Sequence, residues 1–295
     1  MPTGASVTAE VVCYFRALET ARPAPRRVLS DPYAVHFLGR SWRRALQNPL
    51  VANLAASRSP IFDLGSYGLQ RFVAARHRFI DDALLDFLGR GGEQVVILGA
   101  GFDARALRFG ELLAGRPLFE VDFPATQARK QRRLDRAIAA GHIATDAAKA
   151  LSFLPIDFEQ QTLEQGLRAS PFRPGLKTFY AWEGVSMYLS PATVELTLGT
   201  LARLSAPGSE LALDLWSPSR SKSPLALARR LGAQTLSLIG EPLRFSLSPS
   251  RAPTFFLRLG YHTAELLDAA RLARRYGLVE RAVFPDISVA RLTLG

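Results

Sequence analysis

The chain has 295 residues, 48% hydrophobic and 21% charged, enough to bury one large core in a single α/β domain with insertions rather than two full domains. No run approaches the roughly 18 apolar residues of a membrane span, and the N-terminus lacks a charged stretch followed by an apolar one, so a cytoplasmic protein without a membrane partner is expected. The net charge of +11 is almost all arginine, since only Lys130, Lys149, Lys177 and Lys222 are lysines; RSWRR, ARKQRRLDR and ARLARRYG mix it with apolar or acidic residues instead of forming a stripe with aromatics, which argues against nucleic acid as a partner.

Residues 5–20 have helical periodicity, with Thr8 as a candidate cap and Pro23 and Pro25 beyond the end. Cys13, the only cysteine, reads as a small buried helix residue; it excludes an internal disulfide, and no Cys or His pair has metal-ligand spacing, so no metal is expected. Residues 31–38 and 41–57 predict short helices. GLQRFVAARHRFIDDALLDFLGRGG predicts a long amphipathic helix stopped at Gly91-Gly92.

From Gln94 the pattern alternates. Strands at 95–99, 118–122, 151–157, 177–183 and 210–216 are separated by helices at 103–114, 124–140, about 160–169 and 191–205, which predicts a parallel sheet covered on both faces. Residues 217–257, rich in Ser and Pro, read as an insertion over the carboxyl edge of the sheet. A helix at 263–276 and strands at 278–284 and 288–294 close the chain, the last strand antiparallel because Pro285-Asp286 leaves room only for a tight reversal.

In such a sheet the ligand sits beyond the carboxyl ends of the strands. The first end is Gly99-Ala100-Gly101, where a Cβ would obstruct a close backbone approach; GAGFDA also satisfies the dinucleotide fingerprint, which leaves the cofactor class open at this point. The second end carries Asp122, about 20 residues on, suited to ribose hydroxyls in either class. The third carries Asp157-Phe158, a carboxylate and an aromatic face suited to an adenine. The fourth, AWEGVSMYLS, carries Glu183 and Tyr188.

ILGAGFDARALRF, FEVDFPATQARKQ, PIDF and AWEGVSMYLS, in this order and spacing, resemble the leucine carboxyl methyltransferase family, and within it the bacterial branch of S-adenosylmethionine-dependent O-methyltransferases that includes polyketide O-methyltransferases. TAEVVCYFRALETARP, DPYA, ARHRFIDD and GEPLRFSL extend the likeness over nearly the whole chain. The resemblance implies a class I, Rossmann-like, doubly wound sheet of seven strands with an antiparallel last strand. It divides the single domain 1–295 into an N-terminal helical cap and lead-in helix (1–92), a cofactor-binding core (93–216), a substrate-side insertion (217–257) and a C-terminal helix with closing strands (258–295).

It also implies S-adenosyl-L-methionine as cofactor. Arg76 then takes the cofactor carboxylate, Gly99, Ala100 and Gly101 form the turn beneath the methionine moiety, and Asp122 with Phe123 meets the ribose. Asp157 and Phe158 meet the adenine, and Glu183 neutralises the ammonium. Only one of Arg76 and Arg78 can point inward from one helix face. His77 stands where the branch more often has Thr.

A carboxylate acceptor is ionised at pH 7 and needs no base, whereas a phenol would profit from one. No residue stands out for that role; Tyr188 and His262 are the two candidates. Phe15, Tyr67, Trp216 and Phe245 are candidates to line an acceptor pocket. A small-molecule O-methyltransferase is the leading reading, a protein- or RNA-directed methyltransferase on the same core the second, and an NAD(P)-dependent oxidoreductase or nucleotide-binding regulator the third.

Overall fold

The computed structural model describes residues 6–50, 68–113, 115–149, 151–157, 161–217, 242–280 and 283–295. Helix α1 (Val7–Thr20) is capped by the Ser6 hydroxyl, which accepts from the Ala9 amide at 3.1 Å, so Ser6 takes the part assigned to Thr8. A 3₁₀ turn (Ala34–Phe37) and helix α2 (Arg40–Gln47) follow; the rest of the predicted 41–57 helix beyond residue 50 lies outside the described residues. Helix α3 (Leu69–Gly89) buries Phe72, Phe79 and Phe87, each contributing about 1.5–3 kcal/mol by leaving water. It stops where the glycines demand: Gly91 has φ +85°, and a Cβ on Gly92 would lie 2.1 Å from the Phe87 ring.

The core then alternates as expected: β1 (Gln94–Leu98), the short helices α4 (Arg105–Arg108) and α5 (Gly110–Leu113), β2 (Leu118–Asp122), α6 (Pro124–Ala139), β3 (Leu151–Pro155), α7 (Leu163–Arg168), β4 (Thr178–Trp182), α8 (Pro191–Leu204) and β5 (Glu210–Trp216). The predicted 103–114 helix is thus broken in two at Phe109. Pro124 and Pro191 start their helices, where a missing amide costs nothing. The last elements are α9 (Ala252–Arg258), β6 (Tyr261–Leu267), α10 (Ala269–Arg275) and β7 (Ile287–Leu294).

Here the sequence reading needs correction. The sixth strand is Tyr261–Leu267, overlapping the start of the predicted 263–276 helix, and the described residues of 278–284 form no strand. The Ala, Glu and Leu of TAELL favour a helix locally, but six residues pairing with β7 outweigh that preference. Helix α10 begins only after Asp268, whose carboxylate caps it at the Arg271 amide, 2.8 Å away.

The seven strands run in the order β3-β2-β1-β4-β5-β7-β6, all parallel except β7, which lies antiparallel between β5 and β6. Strand order reverses between β1 and β4, and a ligand cleft opens at such a point. Val95 and Ile97 of β1 face the core under α3 and α10, while Val96 and Leu98 face the one under α8. A third apolar cluster joins Cys13, Phe37, Phe102 and Leu134, fastening α1 and the 34–37 turn over the sheet. No described helix is long and apolar enough to cross a membrane.

One buried pair supports β2 from below. Glu120 is fully buried and receives Lys130 of α6, whose ammonium lies 5.7 Å from the Phe37 ring and 6.0 Å from Phe153. Burial pushes the Glu120 carboxyl up to about 7 despite Lys130. Removing one partner of a buried pair leaves the other uncompensated, so Lys130→Met should lower the unfolding free energy by about 3–5 kcal/mol, and adding Glu120→Gln should restore a good part of it. Urea denaturation of the parent, single and double variants checks this, and a double variant no more stable than Lys130→Met would contradict it.

Candidate active site

The carboxyl ends of β1, β2 and β4, with helix α1 above them, enclose a cavity of about 480 Å³. Its floor is the turn after β1. Gly99 (φ +65°) and Gly101 (φ +51°) are left-handed, and the turn is also hemmed in: a Cβ on Gly99 would lie 2.2 Å from Val185 Cγ2, and one on Gly101 would lie 3.2 Å from Ala9 Cβ. Both tight fit and conformation therefore require glycine.

Asp122, at the end of β2, holds this floor in place. Its carboxylate accepts from the Gly101 amide and, at 2.6 Å, from the Phe123 amide. Burial raises its pKa in spite of those two donors. Ala100, Phe123 and Asp157 line the same cavity; Phe158 lies outside the described residues.

The wall beside the floor is a lattice of buried charge. Arg76 turns inward from α3, its Nε donating to Glu183 Oε1 at 2.9 Å and its Nη1 to Asp214 Oδ2 at 2.7 Å. Its guanidinium packs on Gly184 (φ +68°), whose Cβ would approach Nη1 to 3.3 Å. Arg78, two residues on, points outward to Asp82 with 49% of its side chain exposed, so one arginine of the pair faces in, as the helical spacing requires.

Arg105, fully buried, donates from Nε to Asp81 at 2.7 Å, from Nη2 to Glu183 at 3.0 Å, and from Nη1 to Asp103. Arg16 of α1 reaches the Phe102 carbonyl and pairs with Asp31 at 3.0 Å.

His77 sits among these groups with Nδ1 2.9 Å from Glu183 Oε2 and Nε2 3.5 Å from Arg16 Nη1. Burial, then the nearby Arg105, lowers its pKa, which leaves the ring neutral at pH 7. A neutral ring that gives its Nδ1 proton to Glu183 has Nε2 left to accept from Arg16. Burial opposes ionisation of Glu183, but the hydrogen bond from His77 and the Arg76 and Arg105 guanidiniums overcome it and hold the carboxyl well below its usual range. Asp103 is likewise held at about 2, burial being outweighed first of all by Arg105.

His77, Asp103 and Glu183 each bring one ligand atom within 4.8 Å of the others, but Arg105 already binds both carboxylates and occupies the position of a cation between them. Glu183, read from sequence as the partner of the cofactor ammonium, lines the cavity and is shared among three basic side chains, so that it also orients Arg76.

Tyr188, in the 3₁₀ turn Ser186–Tyr188 after β4, lines the cavity. His262 does not. It is exposed near the start of β6, opposite Thr293 and next to Gly295, at the end of the sheet away from the strand ends that carry Asp122 and Glu183; the candidate is withdrawn. Trp216 and Phe245 are buried in the core, Phe15 packs in the α1 cluster, and Tyr67 lies outside the described residues. Arg16, Arg105 and Asp214 were missed. Asp214 left one legible signal, an acid inside the apolar run ELALDLW.

The leucine carboxyl methyltransferase family model matches residues 9–202, two thirds of the chain. The chain belongs to this family. A relative from Parafrankia sp. (strain EAN1pec), provisionally named an S-adenosyl-L-methionine-dependent methyltransferase, is 36% identical over 215 residues, 72% of this chain; the match spans only 63% of that relative's own length. Another under the same provisional name, from Mycobacteroides abscessus, is 29% identical over 291 residues, covering 95% of this chain and 89% of the relative. A methyltransferase structure from Mesorhizobium loti matches 72% of this chain and 97% of its own, with 14% identity and a TM-score of 0.49. The seven-stranded sheet with one antiparallel strand is the class I fold expected of the family.

In this family member the charged wall should govern stability. Arg76→Ala strands Glu183 and Asp214 and should cost about 3–5 kcal/mol, whereas Arg78→Ala should cost less than about 0.5; equal losses in thermal denaturation would refute the assignment of the inward arginine.

Acid should act through the same wall. Glu183, Asp81 and Asp103 all have folded pKa values below their unfolded ones. Between roughly pH 4 and 2 the unfolded chain therefore binds more protons, and stability falls as pH drops through that window. Urea midpoints measured across it should fall steeply for the parent and less steeply for Asp103→Asn.

Proposed function

We propose that this protein transfers the S-methyl group of S-adenosylmethionine to a carboxylate or hydroxyl oxygen of a small metabolite. The reaction class and the cofactor rest on family membership. The small acceptor rests on one observation, that α1 roofs the cavity over the strand ends, an enclosed concave site of the kind small molecules occupy.

The residues present suit this cofactor. Asp122, fixed by two backbone amides, offers a carboxylate to vicinal hydroxyls; Asp157 offers one to an exocyclic amine; Arg76, held by Glu183 and Asp214, brings a guanidinium to the cavity for a carboxylate. The glycine turn leaves a floor without side chains. Bound there, the cofactor supplies a methyl carbon already activated by a positive sulfur.

The protein's share of the chemistry is then position and exclusion of water. Holding two reactants in line can lower a barrier by about 7–11 kcal/mol. A carboxylate acceptor arrives ionised and needs nothing more, whereas for a hydroxyl acceptor Tyr188 is the lining residue assigned to the proton. Methylation of a protein carboxyl terminus or of RNA on the same core is the second reading, favoured by the family's name and by the net charge of +11.

Calorimetry should find binding of S-adenosylmethionine and S-adenosylhomocysteine and none of NADH or NADPH. Asp122→Ala and Asp157→Ala should each weaken the adenosyl ligands by roughly 1.5–3 kcal/mol. Transfer of labelled methyl to pooled metabolites should be nearly indifferent to salt, whereas an RNA substrate held by six to ten phosphate contacts would lose roughly 10³–10⁵ in affinity between 50 and 200 mM salt. Labelling confined to RNA, or binding of NADPH alone, would overturn the proposal.

A further inference from the structure

We propose that Arg244 selects the acceptor by gripping a carboxylate carried on it. This rests on the methyltransferase reading above and narrows its acceptor to small acids. The argument begins with the charge of the cavity wall. Arg16 is paired with Asp31, and Arg76 with Glu183 and Asp214. Both cations are neutralised by the protein itself, so neither brings uncompensated charge to an acceptor.

Arg244 also lines the cavity, and no described residue forms an ion pair or a side-chain hydrogen bond with its guanidinium. Asp122 and Asp157 add negative charge at the strand ends. An anionic acceptor approaching without Arg244 would meet only already compensated pairs and these carboxylates; with it, there is one point where negative charge is welcome.

An unpaired surface arginine is ordinary, but the backbone here is held in place. The amides of Arg244 and Phe245 both donate to the Met187 carbonyl, at 2.7 and 3.1 Å, and the Phe245 side chain is buried. The segment is thereby fastened to the 186–188 turn, next to Tyr188 and to the loop that carries Glu183. That backbone grip positions the root of the side chain, while the exposed guanidinium keeps its five donors for a ligand. A carboxylate matches the fork in two parallel hydrogen bonds, which orients the acceptor as well as retaining it.

The test uses the intact chain with labelled S-adenosylmethionine and matched pairs of small acceptors that keep a hydroxyl in both members: hydroxybenzoic and hydroxycinnamic acids, each beside its carboxamide. The parent should label acids in preference to amides. Arg244→Gln should raise KM for the acids by about tenfold or more with a smaller change in kcat, and Arg244→Lys should recover part of that loss, since a point charge replaces the fork. The affinity for S-adenosylmethionine, read by calorimetry, should stay within about twofold in both variants. An unchanged KM for acids in Arg244→Gln overturns the proposal, as does a parent that binds S-adenosylmethionine but labels only amides, RNA or nothing; these outcomes leave the cofactor assignment standing. A parent that does not bind S-adenosylmethionine overturns both readings.

Discussion

One arginine from a helix is shared between carboxylates at the ends of two neighbouring strands, and the geometry of the site follows from that grip. Arg76 of α3 meets Glu183 just after β4 and Asp214 within β5. Each of these ions would be costly to bury alone, by several kcal/mol, so the helix and the two strands can be buried together only in the register that lets all three meet. Arg105 extends the same logic to Asp81 and Asp103, and Arg16 carries it into α1. The N-terminal helix is therefore part of the cavity wall by electrostatic necessity as well as by the packing of Cys13 and Leu18.

The floor obeys a different constraint, one of volume. Gly99 has no room for a Cβ, Gly101 is left-handed with Ala9 close by, and Asp122 ties the second of them to the neighbouring strand. Beside this floor and wall, Arg244 is fastened through its backbone and the buried side chain of Phe245.

What the sequence disclosed follows from these constraints. Gly99, Asp122, Asp157 and Glu183 are legible because each ends an apolar run at the point where a strand must stop, and period and polarity change together there. The partners of Arg76 are not, because Asp214 lies 138 positions away and nothing local announces the pairing. Arg105 and Arg16 look like ordinary helical arginines until the carboxylates around them are seen. Strand β6 was read as helix because its register is imposed by β7 from outside, across a bulge between Thr263 and Glu265. His262 then lost its candidacy with the element that would have carried it.

The place of β7 also bears on how the chain acquires its fold as it is made. Residues 287–294 come after β6 in synthesis yet lie between β5 and β6. Until they emerge from the ribosome, β5 has an open edge and β6 has no neighbour to pair with. An unpaired apolar edge of this kind is the hazard that chaperones shield, and closing it depends on contacts distant in sequence, which form slowly. Intermediates in which residues 287–294 are not yet paired therefore carry a five-stranded sheet with one sticky margin, and β7 both joins β6 to the sheet and removes the site of misassociation.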